Sequence, residues 1–385
     1  NIIMNNTLKI KIALNAILAI SIAPYLYLFF ILEQFDYYSI MFAIANISGF
    51  LGLVFFIYQI IIANRPFVKL FTQNIIEVNK YHKILGIYGT IFVFMHPIVE
   101  MYMYGESLLF VLVPYVNTQF QTHITYGRIA FFIFLIILLT STIFRNKLQY
   151  RNWLKTHYLS YILVPLVFAH LNDIGTYYAT NSLVQFYTIF LFITFAIATI
   201  YRVAVYFNFN KYTYTVKNIS EYGQDIATIT LAPKNKKVAY TPGQYYYIKI
   251  EKLFGEEHPF SLLEYKENGD IVFGVKEIGK FSKKMAQLKK DQIVYIEGPY
   301  GEFTKEAQNQ DPKVIIAGGI GFTPFYELIK NHTTENTFLF YCNRKIEEAL
   351  NIMELKKILK NRYFNVLDND DTKGESIINK RLDMD

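Results

Sequence analysis

Four histidines are spaced so that two pairs of side chains can meet at two depths. His82 and His96 lie fourteen positions apart within YHKILGIYGTIFVFMHPIVE. In a regular α-helix that is a rise of about 21 Å and a rotation that returns to within about 40° of the starting face. His157 and His170 lie thirteen apart within THYLSYILVPLVFAHL, about 20 Å along a helix. Two such helices side by side would pair His82 with His157 at one level and His96 with His170 at the other. Two neutral imidazoles on opposite faces of a porphyrin are what a six-coordinate haem iron takes as axial ligands. A lone histidine in a membrane helix more often bonds a neighbouring helix. Four of the seven histidines falling as matched pairs is a stronger observation, because ionisable groups inside a bilayer are costly and mark function. Thirteen residues of ideal helix end about 140° off the starting face, so the second helix needs a kink or overwinding. Pro165, between its two histidines, is the residue expected to supply it.

The elements that must carry these histidines are apolar. Of 385 residues, 53% are hydrophobic and 17% aromatic, and the mean hydropathy is +0.21. Six apolar runs of spanning length occupy residues 10–32, 40–63, 84–104, 124–144, 157–179 and 183–207. Lys9, Lys11, Arg65, Lys69, Lys80, Lys83, Arg145, Lys147, Arg151, Lys155 and Lys211 all fall on one side of their alternation, while the opposite loops contain no Lys or Arg. By the positive-inside rule this is a multi-pass protein of the cell membrane with both termini cytoplasmic. His82 and His157 then lie near the cytoplasmic face, His96 and His170 near the outer face. The net charge of +7 is accounted for by the bilayer, with no nucleic acid partner required. Arg128 is the exception to the pattern; it either snorkels outward or neutralises a propionate of an outer haem. The single cysteine, Cys342, excludes an internal disulfide and any multi-thiolate iron–sulfur site. The chain starts at Asn1, which is read as a processed or partial start with Met4 as a candidate initiator.

After the last span the texture changes. Residues 211–304 carry short alternating runs such as YTYTVKNI, DIATITLA and QYYYIKI, broken by Pro and Gly, the pattern of an antiparallel β-barrel. Residues 305–385 read strand, glycine turn, helix, strand, helix, a parallel α/β arrangement. The predicted architecture is an α-helical membrane bundle over residues 1–210 followed by these two soluble domains.

Three motifs in the soluble part carry chemistry. AGGIGFTPF places Gly318, Gly319 and Gly321 between a strand and a helix that opens near Thr323 and Pro324. Backbone without side chains can approach a pyrophosphate there and present N–H groups from the helix N-terminus. HPFS, His258, Pro259, Phe260 and Ser261, can lay extended backbone along an isoalloxazine, with Ser261 near the flavin N5. GKFS, with Gly279, Phe281 and Ser282, can offer backbone and hydroxyl groups to a flavin pyrophosphate at a helix start. Arg344 follows the strand TFLFYC, where the adenosine ribose is read in dinucleotide folds. An arginine fork suits a 2′-phosphate and leans the choice toward NADPH, with NADH possible.

The order PGQY, HPFS, GKFS, GPYG and GGIGFTPF resembles the ferredoxin-reductase-type flavoproteins. Together with the spans and histidine spacings, it resembles the ferric reductase and NADPH oxidase family over about residues 40–345. The resemblance implies FAD on the barrel, NADPH or NADH on the α/β domain and two stacked b-type haems (haem b). It implies flavin roles for Gly243, Gln244 and Tyr245, for His258 to Ser261 and for Gly279 to Ser282, and a nicotinamide-nucleotide role for Gly318 to Pro324. In that family the first histidine of each of the two spans binds the inner haem and the second the outer. Family members normally end in a CGP-type segment and a terminal aromatic, so the α/β domain is expected to be C-terminally incomplete at Asp385. No arginine precedes Arg65 in the second span, where dioxygen-reducing members can carry one.

A hydride brings two electrons and a haem iron takes one, and a flavin is the cofactor that accepts a pair and releases them singly. The expected function is electron transfer from NAD(P)H through FAD and two haems to ferric iron, its chelates or dioxygen on the outer side. The competing readings are a six-span transporter or channel with a nucleotide-sensing domain, and a haem-binding membrane subunit of a separate redox partner.

Overall fold

The computed structural model describes residues 6–30, 35–69, 72–172, 174–252, 255–368, 374 and 376–378. The expectations for Met4 and for the chain end at Asp385 lie outside those residues. The chain forms two compact units, one over 1–72 and 76–203, the other over 73–75 and 204–385.

The first unit is helical: α1 (Asn6–Phe30), α2 (Tyr37–Ile62), α3 (Ile75–Tyr104), α4 (Gln119–Ser141), α5 (Tyr150–His157), α6 (Ser160–Leu171) and α7 (Ser182–Tyr206), with shorter helical turns between them. Apolar runs of this length become helices because hydrocarbon offers the backbone no other hydrogen-bond partner. Asp36 starts α2 by accepting from the Tyr38 and Ser39 amides at 2.9 and 3.1 Å. α2 is the most enclosed helix. Its Phe50, Leu53 and Ile57 pack with Phe134 of α4, Val164 of α6 and Leu191 of α7.

Among the described residues five helices, not the expected six, are long and apolar enough to cross a bilayer. The run 157–179 is not one span. α5 ends at His157, and i→i+3 bonds from Leu159 to Thr156 (3.1 Å), Tyr161 to Tyr158 (3.1 Å) and Ile162 to Leu159 (3.0 Å) form a tight turn before α6 begins. The 12 residues of α6 rise about 18 Å, against about 30 Å of hydrocarbon. The irregularity expected at Pro165 therefore sits one to two turns earlier. Such a turn advances about 120° per residue instead of about 100°, which is overwinding of the sense the histidine spacing requires. Pro165 lies inside α6, where it has no N–H for the Tyr161 carbonyl.

The second unit begins with a closed barrel of order β1-β2-β5-β4-β3-β6. Its strands are β1 (Tyr212–Tyr222), β2 (Ile226–Pro233), β3 (Tyr245–Lys249), β4 (Glu257–Tyr265), β5 (Ile271–Lys276) and β6 (Ile293–Tyr300), with helix α8 (Lys280–Ala286) before β6. Alternation puts Tyr214, Ile229, Leu231, Tyr246, Ile248, Phe273 and Ile296 inside. Two of the buried phenols find partners: Tyr214 accepts from the Val238 amide at 3.0 Å and Tyr246 donates to the Ala239 carbonyl at 2.5 Å.

A parallel sheet of order β10-β9-β8-β7 follows, built from β7 (Lys313–Gly318), β8 (Thr337–Asn343), β9 (Tyr363–Leu367) and β10 (Ile377–Ile378), with helices α9 (Thr323–His332) and α10 (Ile352–Leu359). Ile315, Ala317, Leu339 and Tyr341 pack one face against Tyr326, Leu328 and Leu355. On the other face Val314 and Ile316 are 67% and 63% exposed.

Candidate functional site

In the helical unit the structure brings the four histidines together as two pairs. The ring centres of His82 and His157 are 6.2 Å apart, and those of His96 and His170 are 6.1 Å apart. An iron bonded to two imidazoles at about 2 Å each, with each ring centre about 1 Å behind its nitrogen, separates the ring centres by about 6 Å. Among the described residues no group of three or more His, Cys, Asp or Glu is placed to hold a bare metal ion. Pairs of this spacing suit a porphyrin, which brings four ligands of its own.

The hydrogen bonds behind the outer pair of rings set their tautomers. His96 Nδ1 is 2.9 Å from the Ala45 carbonyl oxygen and His170 Nδ1 is 3.0 Å from that of His123. A carbonyl only accepts, so each Nδ1 carries the proton and each Nε2 keeps its lone pair for a metal. His157 Nδ1 lies 3.3 Å from the Ser141 hydroxyl, which also accepts from Trp153 Nε1 at 3.2 Å. Trp153 stacks on His157 with ring centres 5.0 Å apart.

Two glycines give the outer pair its room. A Cβ on Gly49 would come 3.1 Å from His96 Nδ1, and one on Gly127 would come 2.5 Å from His170 Nδ1. Both glycines, both histidines, Phe134 and Arg128 line a cavity of about 550 Å³, the size of a cofactor site. Arg128 does not snorkel: it is 6% exposed. Its Nε donates to the Phe110 carbonyl at 2.5 Å, and the guanidinium carbon lies 4.8 Å from the Phe110 ring centre and 5.5 Å from that of Tyr115. Gly49, Gly127, Ser141 and Trp153 were not legible as site residues; small residues where helices approach closely were the available signal.

On the barrel, strand alternation divides the expected flavin residues between two faces. Tyr245 pairs with Ser261 and Tyr247 with Pro259. All four lie outside the barrel, opposite in sense to the buried Tyr246 and Ile248. Ser261 and Pro259 thus sit on an aromatic platform with Tyr245, Tyr247 and Tyr300, whose rings lie 5.7 to 6.0 Å apart. His258 and Phe260 point the other way, onto Phe281, at 4.1 and 6.0 Å between ring centres. Ser282 is occupied with the cap of α8, accepting from the Gly279 amide at 2.9 Å. Gly243, at φ +80°, packs against Thr304: a Cβ there would meet Thr304 Oγ1 at 2.3 Å. Gln244 is buried, and its carbonyl accepts from the Leu262 amide at 3.0 Å. Gly243 and Gln244 thus build the turn that starts the platform.

At the C-terminal ends of β7, β8 and β9, a cavity of about 630 Å³ is lined by Gly318, Gly319, Asn343, Arg344, Glu348 and Asp368, among others. Parallel sheets bind nucleotides at this position. Space is open around the would-be Cβ atoms of Gly318, Gly319 and Gly321, and Gly319 has φ +49°. Thr323 is buried, its methyl against Gly274 of β5, and Pro324 opens α9, so these two shape the turn. Arg344 is not free. It bonds Glu348 at 3.0 Å and Asp225, at the start of β2, at 3.2 Å. Asp368, immediately after the third parallel strand, was findable by the strand-end rule.

Residues 48–168 match the family described as ferric reductase like transmembrane component, and residues 211–319 match that described as FAD-binding domain. The chain is 31% identical over 134 residues to the probable dihydroorotate dehydrogenase B (NAD(+)), electron transfer subunit, of Pyrococcus horikoshii, covering 35% of this chain and 49% of that one. It is 27% identical over 175 residues to ferric reduction oxidase 2 of Arabidopsis thaliana, covering 38% of this chain and 24% of the relative. It is 23% identical over 177 residues to NADPH oxidase 4 of Rattus norvegicus, covering 39% and 30%. The chain spans about half, or less, of the length of these relatives.

Proposed function

The chain belongs to the ferric reductase and NADPH oxidase family, and on that premise we propose that it carries electrons across a membrane from a pyridine dinucleotide to an outer acceptor. When bound, FAD supplies the step from electron pairs to single electrons and the haem irons relay single electrons. His82 with His157 would hold the inner haem b and His96 with His170 the outer. Tyr245 and Tyr247, backed by the buried Tyr300, would with Ser261 seat FAD on the barrel unit, read as residues 211–304. Residues 305–385 are read as the nucleotide domain and 1–210 as the haem domain. The Gly318–Gly319 turn would receive the dinucleotide's pyrophosphate. Whether NADPH or NADH is used turns on Arg344.

The observation that carries this reading is the separation of 6.1 and 6.2 Å between paired imidazoles, with the outer pair's Nδ1 atoms held by carbonyls so that Nε2 faces inward. The asymmetry of Lys and Arg between loops supports cytoplasmic termini in the cell membrane. The acceptor is then reached from the outside, as ferric iron, its chelates or dioxygen. The test is the spectrum of the purified chain after dithionite reduction. Low-spin b-haem bands at two haems per chain are expected. Haem-free protein, from cells supplied with haem, would overturn the reading and favour a transporter.

A further inference from the structure

Arg344 was the residue that leaned the sequence toward NADPH, and its surroundings reverse that lean. A guanidinium grips a phosphate with two adjacent nitrogens, and either available edge includes Nη2. Here Nη2 is engaged by two carboxylates, Glu348 Oε1 at 3.0 Å and Asp225 Oδ2 at 3.2 Å, while Nε lies 3.3 Å from Glu348 Oε2. Lys276, the other cation lining the pocket, is 3.5 Å from the same Asp225. Lys345 is turned to Glu347 at 3.9 Å. Three carboxylates, Asp225, Glu348 and Asp368, thus stand around two cations where the adenosine ribose is read.

We infer that the chain takes NADH in preference to NADPH, and that Glu348 and Asp225 set this choice by holding Arg344. The inference rests on the assignment of this pocket to a pyridine dinucleotide. A 2′-phosphate brings close to two negative charges into a cluster that is already net acidic. If Arg344 turned to meet it, the Glu348 side chain, 9% exposed, would be left buried without its partner, a costly state for a carboxylate. The Asp225 pair is more exposed and weaker, so Glu348 carries most of the discrimination. A free 2′-hydroxyl asks for the opposite arrangement: it donates to a carboxylate such as Glu348, and Arg344 stays where it is.

The experiment compares NADH and NADPH with the full-length haem- and flavin-loaded protein, reading kcat/KM for each and, separately, NAD⁺ and NADP⁺ binding by calorimetry. NADH is expected to be favoured by about tenfold or more, and Glu348→Gln and Asp225→Asn each to move the ratio toward NADPH, Glu348→Gln by about tenfold. Asp225→Asn, at the more exposed site, keeps the test open if Glu348→Gln fails to fold. A parent that favours NADPH, or variants that change both dinucleotides alike, overturns the inference while leaving the pocket assignment intact. Failure of both dinucleotides to bind overturns the two together.

Discussion

Replacing Gly127 by alanine should empty one haem site and spare the other. The added Cβ would lie 2.5 Å from His170 Nδ1, 2.7 Å from Cε1 and 2.9 Å from Cγ, where 3.4 to 4 Å is ordinary contact. The imidazole must retreat by about 1 Å, and helix α4 cannot easily do so instead, because Ala130 and Phe134 lie in the buried core beside it. Overpacking of this size costs about 1–3 kcal/mol. The retreat also strains the 3.0 Å bond from His170 Nδ1 to the His123 carbonyl, worth about 1 kcal/mol. Taken together, outer-haem affinity should fall by about a hundredfold or more. Gly49→Ala is the graded control: its Cβ meets His96 Nδ1 at 3.1 Å, a few tenths too close, and should cost less than about 1 kcal/mol. The assay is haem per chain by pyridine haemochrome, with a redox titration that resolves one wave or two. Gly127→Ala retaining two haems with both midpoint potentials unchanged would refute the reasoning.

His82→Ala or His157→Ala should leave one haem per chain, and His96→Ala or His170→Ala should leave the other; four variants that all keep two bis-imidazole haems would sink the pairing. Arg128→Gln removes a buried cation that has no carboxylate within 4.0 Å among the described residues, so the ferric state gains stability and the outer midpoint potential should drop by about 60 mV, the one-electron equivalent of about 1.4 kcal/mol; an unchanged potential would place Arg128 in packing alone. Burial raises the Asp270 carboxyl pKa, but the Lys217 ammonium at 2.6 Å and the Asn268 amide at 2.9 Å outweigh it and hold the group below its usual range. A pKa depressed on folding adds stability above the unfolded value, and that stability is lost as pH falls through the folded value. Asp270→Asn should therefore cost about 1 kcal/mol at pH 7, with the gap closing below about pH 4; a gap that persists in denaturation curves at acid pH would contradict the pairing.

Several properties of this chain are local in sequence and were legible there. Helical type follows from apolar runs and barrel strands from alternation, because each depends on residues within a few turns of one another. The histidine pairing belongs with these, since a helix converts a spacing of fourteen into a depth and a face. The break at Tyr158–Leu159 was not legible: Pro165 announced an irregularity, but the tight turn forms earlier, through the bonds among Thr156–Ile162, and the histidines on either side of it bond Ser141 and the His123 carbonyl. Strand alternation alone separates His258 from Ser261, three positions apart, but which of the two faces the barrel interior is set by the pairing of β4 with β3 and β5. Whether Arg128 faced water or the cavity was decided by Phe110 and Tyr115, brought beside it by the fold. Arg344 shows the same limit most plainly. Its neighbour Asp225 is 119 positions away in the chain, and only the packing of barrel against parallel sheet within one unit puts that carboxylate at the guanidinium. Charge type is written in the sequence; which opposite charge meets it is a long-range contact that no local pattern encodes.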